Sequence, residues 1–264
     1  MNYETKLIIK DLKQKGFHVA KGLISLNEFQ IVKKESISFF EKKQLRKESF
    51  PKALRGDVKA GMLNNFGFSS NKAWRLYRLC SFPWNRKEKE LVNTINLSRK
   101  LSSFRNEIIG MGSTEDYGSF IENDGYIQYT SLSLYPSDGG FLNKHRDSHP
   151  IEGDEDESLV HFKLEITHKN IDYSEGGFYV WDRQNNEICV SSLVEPGDVI
   201  FFDGSLPHEI KPIYGKAGRI ALFEIPTYVN NLSRNLDYAG DGETISFTRR
   251  VKNKIKNTFD KIFI

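Results

Sequence analysis

Cysteine is scarce in this chain: Cys80 and Cys189 stand 109 positions apart and form no CxxC pair. That excludes a disulfide framework and leaves two ordinary buried thiols of a reducing compartment. Long apolar runs are missing as well. None approaches the roughly 18 residues that a membrane-crossing helix needs. Met1-Asn-Tyr-Glu-Thr-Lys is polar, and Leu7-Ile-Ile is too short for the apolar core of a signal peptide, so a cytoplasmic protein is expected. Charge of one sign is absent too. Against 38 Lys and Arg stand 35 Asp and Glu, a net +3 that does not indicate nucleic acid. No basic patch interleaved with stacking aromatics dominates, so no nucleic-acid partner is expected. Neither a repeat nor a linker divides the 264 residues, which read as one domain spanning 1–264.

What is present is a large apolar inventory. Hydrophobic residues make up 38% of the chain, with 19 Phe and 11 Tyr, enough for a sizeable globular core. Leu7, Ile8 and Leu12 recur at helical spacing over 3–15, Gly16 stops that helix, and Phe17-His-Val-Ala20 reads as a short strand. Ser25-Leu-Asn-Glu28 fits a capping box ahead of a helix running to about Lys43. Residues 42–59 are basic, which reads as a solvated face, the alternative being a wall for an anionic substrate. Trp74 to Trp84 packs two Trp, one Tyr and two Arg into eleven positions, either as a core brace or as a pocket lining. Helical spacing returns over 86–109 with Leu91, Ile95, Leu101, Phe104 and Ile108. After Gly110 the pattern changes to short apolar runs at 126–135, 159–167, 177–181, 188–193, 199–202, 208–213 and 219–226. Such spacing indicates a barrel or a double-sheet jelly roll. The expected architecture is α+β, mainly β: helices over about 1–109, a double-stranded β-helix (jelly-roll) core over about 110–232, and a C-terminal helix over about 245–264. That tail carries Val251, Ile255, Phe259 and Ile262 on one stripe among lysines and arginines. Docking on the barrel is the simpler expectation, and peripheral contact of 247–264 with an anionic membrane is the other.

The chemistry concentrates in one stretch. His145 and Asp147, at i and i+2, would share one face of a strand, and His208 follows 61 positions after Asp147. Two imidazoles and one carboxylate on one face of an octahedron form the ligand set of a non-haem Fe(II) site with open positions. Arg219, eleven positions past His208, offers a planar fork suited to a carboxylate. His149 is expected to be exposed, His161 and His168 to be strand residues without a nameable partner, and His18 to be structural. The acidic loop Glu152-Gly-Asp-Glu-Asp-Glu157 reads as solvated.

These residues, with Glu175-Gly-Gly-Phe178 and Glu195-Pro-Gly-Asp198 between them, resemble the Fe(II)/2-oxoglutarate-dependent dioxygenase superfamily, in its phytanoyl-CoA and prolyl hydroxylase-like branch. The resemblance covers about 126–226 well and 3–43 loosely. It implies an oxygenase, using Fe(II), 2-oxoglutarate and O2 with ascorbate in support, in which His145, Asp147 and His208 are catalytic metal ligands. It implies that Arg219 holds the distal carboxylate of 2-oxoglutarate and that Tyr135 is a cosubstrate contact or a core aromatic. Gln128 and Thr167 are further candidates for the cosubstrate pocket wall. Succinate and CO2 would be released as an unactivated C–H of a small-molecule or glycan (or glycolipid) substrate is hydroxylated, and the retained Asp147 argues against halogenation. The rival is a non-catalytic, cupin-like metal- or sugar-binding protein.

Overall fold

The computed structural model describes residues 3–42, 60–68, 73–81, 89–110, 126–147 and 160–228. Helix α1 (Tyr3–Gln14) ends at Gly16, whose φ of +86° lets the chain turn back into strand β1 (Phe17–Ala20). Helix α2 (Leu26–Glu41) starts on Ser25, whose hydroxyl accepts the Glu28 N–H at 3.2 Å. The reciprocal half of the capping box is not made, because the Glu28 carboxylate accepts instead from Lys100 at 2.7 Å. Lys100 belongs to α3 (Val92–Ile108), which follows a single 3-10 turn at Lys89–Leu91.

Eleven strands form one curled antiparallel sheet with these three helices against it, a jelly-roll core with flanking helices. After β1 come β2 (Ala60–Phe68), β3 (Ala73–Ser81), β4 (Tyr126–Tyr135) and β5 (Asp138–His145). Then follow β6 (Val160–Glu165), β7 (Glu175–Trp181), β8 (Glu187–Cys189), β9 (Val199–Asp203), β10 (His208–Tyr214) and β11 (Arg219–Tyr228). The order across the sheet is β1-β9-β6-β11-β4-β3-β5-β10-β7-β8, with β2 hydrogen-bonded to β3.

Each strand presents alternate residues to two different interiors. Toward the helices, Val160, Phe162 and Leu164 of β6 and Ile220 and Leu222 of β11 join Phe29, Val32, Leu97 and Leu101 in one apolar core. Burying each such side chain stabilises the sheet-on-helix packing by about 1.5–3 kcal/mol. Inside the curl, Trp74, Leu76, Phe178, Phe202 and Ile210 form a second core. All six residues of β6 are buried, so its other face, His161, Lys163 and Glu165, also points into the curl. That is the polar face of the strand, directed inward.

Two expectations change. The segment at 60–81, read as part of a helical first half, is an antiparallel strand pair, and β3 inserts between β4 and β5. Its inward residues alternate as Trp74, Leu76, Arg78 and Cys80, all buried. The run at 188–193 is a three-residue strand followed by a 3-10 turn at Val190–Ser192, where Ser191 turns its hydroxyl inward. Residues 43–59, Trp84, His149, the acidic loop at 152–157 and the tail at 247–264 lie outside the described residues. Both cysteines are free thiols, and among the described residues no helix is long and apolar enough to cross a membrane.

Candidate metal centre

Strand β10 lies between β5 and β7, with His208 directly opposite His145 on one side and Val180 on the other. The approach of β7 depends on its Gly-Gly start. A Cβ on Gly176, at φ +81°, would sit 2.2 Å from the Pro212 carbonyl oxygen of β10. The two imidazole centroids come within 4.3 Å. Asp147 is not on the strand, as the i, i+2 argument supposed. It lies just past the end of β5, where its N–H donates to the Gly204 carbonyl at 2.9 Å and Arg146 donates to the Ser205 carbonyl at 2.7 Å. The turn between β9 and β10 thus holds the carboxylate in place.

Ligand-type atoms of His145, Asp147 and His208 all lie within 4.8 Å of one another. His208 Nε2 is 3.5 Å from Asp147 Oδ2, and His145 Nε2 is 3.8 Å from Oδ1. Each Nδ1 is bonded to a main-chain carbonyl, His145 to Asn143 at 2.7 Å and His208 to Leu206 at 2.9 Å. A carbonyl only accepts, so each Nδ1 carries the proton and each Nε2 turns a lone pair toward the carboxylate. Burial, reinforced by His145, pushes the His208 imidazole down to about 3, which keeps it neutral. Lone pairs and an anionic carboxylate facing one another across a gap too long for a hydrogen bond are completed by a cation. Fixed tautomers and neutral rings are what a metal ligand requires. These residues fit an ion such as Fe(II).

A second cluster occupies the deeper part of the curl. Arg219, opposite Tyr135 of β4, is fully buried, and its Nη2 and Nε donate to Glu165 Oε1 at 2.6 and 3.2 Å. Ser191 donates to the same oxygen at 2.6 Å and Tyr173 to Oε2 at 3.2 Å. Burial pushes the Glu165 carboxyl up, but Arg219 and the hydrogen bonds outweigh it and hold it below the usual range. One guanidinium nitrogen, Nη1, is buried without a partner among the described residues. Between the clusters stands Lys163, its Nζ 3.3 Å from the Phe178 ring centroid and without a hydrogen bond or ion pair among the described residues. Burial, with Arg219 adding to it, drives its ammonium well below the ordinary lysine range.

The remaining candidates separate. Tyr135 is buried beside Arg219, whose guanidinium carbon is 5.4 Å from its ring centroid. The Thr167 hydroxyl accepts the Ile220 N–H at 2.7 Å and donates to the Gly218 carbonyl at 3.0 Å, clamping the start of β11. Gln128 donates to Asn106 of α3 at 2.8 Å, on the helix side of the sheet, away from the curl. His161, Lys163 and Glu165 were not singled out for the site by sequence. The only signal for them is the alternation in Val-His-Phe-Lys-Leu-Glu, which carries two faces without saying which is inside. His168 is core: its ring meets Phe29 edge-on at 5.4 Å. His18 bonds Asp11 at 2.7 Å.

No family model matches the chain, and no curated protein matches it in sequence. Solved structures do match in fold. A prolyl-4-hydroxylase of Pseudomonas putida is 16% identical with a TM-score of 0.54, over 85% of this chain and 98% of that one. A prolyl hydroxylase of Trichoplax adhaerens, solved with a hypoxia inducible factor peptide fragment, is 15% identical at 0.54, over 87% and 91%. The alpha-ketoglutarate-dependent carbocyclase SnoK of nogalamycin biosynthesis is 13% identical at 0.53, over 87% and 90%. Over most of its length, then, this chain has the fold of the non-haem 2-oxoglutarate oxygenases.

Proposed function

We propose that the protein is an Fe(II)/2-oxoglutarate-dependent oxygenase that hydroxylates an unactivated C–H of a small-molecule or glycan (or glycolipid) substrate, releasing succinate and CO2. The observation that carries this reading is the convergence of His145, Asp147 and His208, each imidazole fixed as a neutral Nε2 donor. Bound Fe(II) with the oxoacid supplies the dioxygen chemistry. The chain's own part is to bind, orient and exclude water.

Charge in the pocket supports the oxoacid. Asp147 and Glu165 contribute two negative charges and Arg219 one positive, while burial drives Lys163 toward its neutral amine. Fe(II) would leave a surplus of +1, and Arg78, turned inward beside Ser133 and Phe223, brings it to +2. A dianion such as 2-oxoglutarate offsets that surplus. Its distal carboxylate would meet Arg219 Nη1 and Lys163, and a carboxylate beside Lys163 would restore the ammonium's proton affinity. Tyr135 and Phe178 wall the same space and keep it dry. The basic tail at 247–264 belongs to this proposal as a peripheral membrane contact where the substrate is a glycolipid.

One feature favours the rival, a non-catalytic metal- or sugar-binding protein: Arg219 already holds a carboxylate, that of Glu165. Incubation with Fe(II), ascorbate and 2-oxoglutarate separates the two. Succinate formation that requires both iron and oxoacid is expected, and iron uptake without succinate for any candidate substrate would select the binding protein. Lys163→Met should raise the 2-oxoglutarate concentration needed by about 10- to 100-fold, the worth of a lost charged hydrogen bond.

A further inference from the structure

We propose that Lys163 is a modification site for carbon dioxide, which its amine captures as a carbamate held by Arg219. The adduct needs only the empty pocket, whereas its part in turnover rests on the oxygenase reading above. Lys163 is the one buried lysine among the described residues, 6% exposed. It extends from β6 into the curl among three rings, its Nζ 3.3, 5.0 and 5.4 Å from the centroids of Phe178, Phe202 and Phe223. It makes no hydrogen bond or ion pair among the described residues. Glu165, two positions on, is already taken by Arg219, Ser191 and Tyr173.

A lysine in a core ordinarily carries its ammonium out to water or pairs it with an acid. This one does neither, and a buried ammonium left unpaired sheds its proton. The ring faces attract a cation. Burial outweighs them, and of the surrounding charges Arg219 bears most heavily on Lys163 and opposes the proton.

The neighbour that disfavours a cation on Nζ favours an anion built onto it. Phe223 lies opposite Lys163 across the ladder, and Arg219 stands four positions before it on the same face of β11. Between them on that face is only Ala221, too small to separate the two long side chains. Arg219 Nη1 is buried without a hydrogen-bond partner among the described residues, its Nη2 and Nε being committed to Glu165. The pocket thus sets a nucleophile without a proton beside a donor without an acceptor. Uncharged CO2 reaches this apolar interior without the desolvation cost that bicarbonate meets.

The Nζ lone pair attacks the carbon of CO2. An N–C bond forms as one C–O π pair moves onto oxygen, and the nitrogen releases one proton to water. Nothing is oxidised or reduced, and a neutral amine becomes an anion that accepts from Arg219 Nη1. In the proposed reaction CO2 is a product released in this pocket. The carbamate and the distal carboxylate of 2-oxoglutarate claim the same guanidinium nitrogen, so the adduct competes with the cosubstrate and restrains turnover as product accumulates.

The test uses metal-free full-length protein with isotopically labelled bicarbonate and no oxoacid. Carbon NMR separates a carbamate from CO2 and bicarbonate, and alkylation with a trialkyloxonium salt followed by peptide mass spectrometry locates it. One adduct on Lys163 is expected at about pH 7, where exposed lysines stay protonated and unreactive; the chain's α-amino group, the ordinary competitor, is separated by the peptide map. Lys163→Met should abolish the adduct, with Lys163→Gln in its place if the Met variant does not fold. Fe(II) with saturating 2-oxoglutarate, under argon, should weaken capture by about tenfold or more. An adduct confined to the α-amino group, or one that persists in a folded Lys163 variant, overturns the inference. An adduct on Lys163 that saturating oxoacid does not move overturns the competition. Wild type that carries the adduct but forms no succinate keeps the inference and removes the oxygenase reading, and succinate without the adduct does the reverse.

Discussion

The two polar clusters inside the curl are built from the same strand and end in opposite conditions. At one end of β6, His161 meets His208 and Asp147, and the atoms facing one another are all acceptors. At the other end, Glu165, Arg219, Ser191 and Tyr173 give and take hydrogen bonds among themselves, with only Arg219 Nη1 left over. The second cluster is almost complete as protein, with one donor, Arg219 Nη1, to spare; the first sets ring-nitrogen lone pairs against a carboxylate, an arrangement that a cation would satisfy. The contrast is between a cluster suited to a metal ion and one that is chiefly architecture. Lys163 belongs to neither, which is why it is read as facing an anion.

The strongest way to break that contrast is Asp147→Ala. It removes the only anion of the metal cluster, and turnover should vanish while Fe(II) affinity falls by more than about 100-fold, measured calorimetrically. Full activity retained would remove the metal assignment. Next is Arg219→Ala, which strands a fully buried Glu165 and should cost about 3–5 kcal/mol in urea unfolding. Adding Glu165→Gln should return part of that loss, and iron binding should be largely kept while the 2-oxoglutarate requirement rises. A double variant whose loss equals the sum of the losses of Arg219→Ala and Glu165→Gln alone would mean that the pair is not coupled. A third contrast is pH. His161 and His208 are held at about 4 and about 3, against an ordinary value near 6.5. Between those values the unfolded chain takes up protons that the folded chain refuses. Stability of the metal-free protein should therefore fall as pH drops from about 6.5 toward 3, and a flat profile of melting temperature across that range would contradict it. Smallest is Tyr173→Phe, which removes one of several bonds to Glu165 and should cost about 1 kcal/mol in the same unfolding assay.

Much of this was legible in the sequence, for identifiable reasons. Val199-Ile-Phe-Phe202 and Tyr126–Tyr135 announce themselves as strands because their apolar content is dense and their ends are marked. His145, Asp147, His208 and Arg219 stand out because their residue types are unusual at that spacing. The 60–81 pair was obscure because Arg78, an inward residue, breaks the apolar alternation that identifies a strand. Lys163 and His161 were obscure for a related reason. Polar residues on one face of a strand ordinarily mean solvent, but β6 is covered on its apolar face by helices and closes its polar face over the curl. Gln128 shows the converse: its alternation places it with Thr130, under α3.

The pairing of β10 between β5 and β7 also governs when the centre can exist. During synthesis His145 and Asp147 emerge long before His208, and β7, against which β10 lies, is already out. Arg219 follows on a strand that must still slot between β4 and β6. Until β10 docks, His145 and Asp147 lack the third member of their set. On the proposed function, metal would load only after that step, and the ion would act as a seal on a nearly finished fold more than as a seed for it.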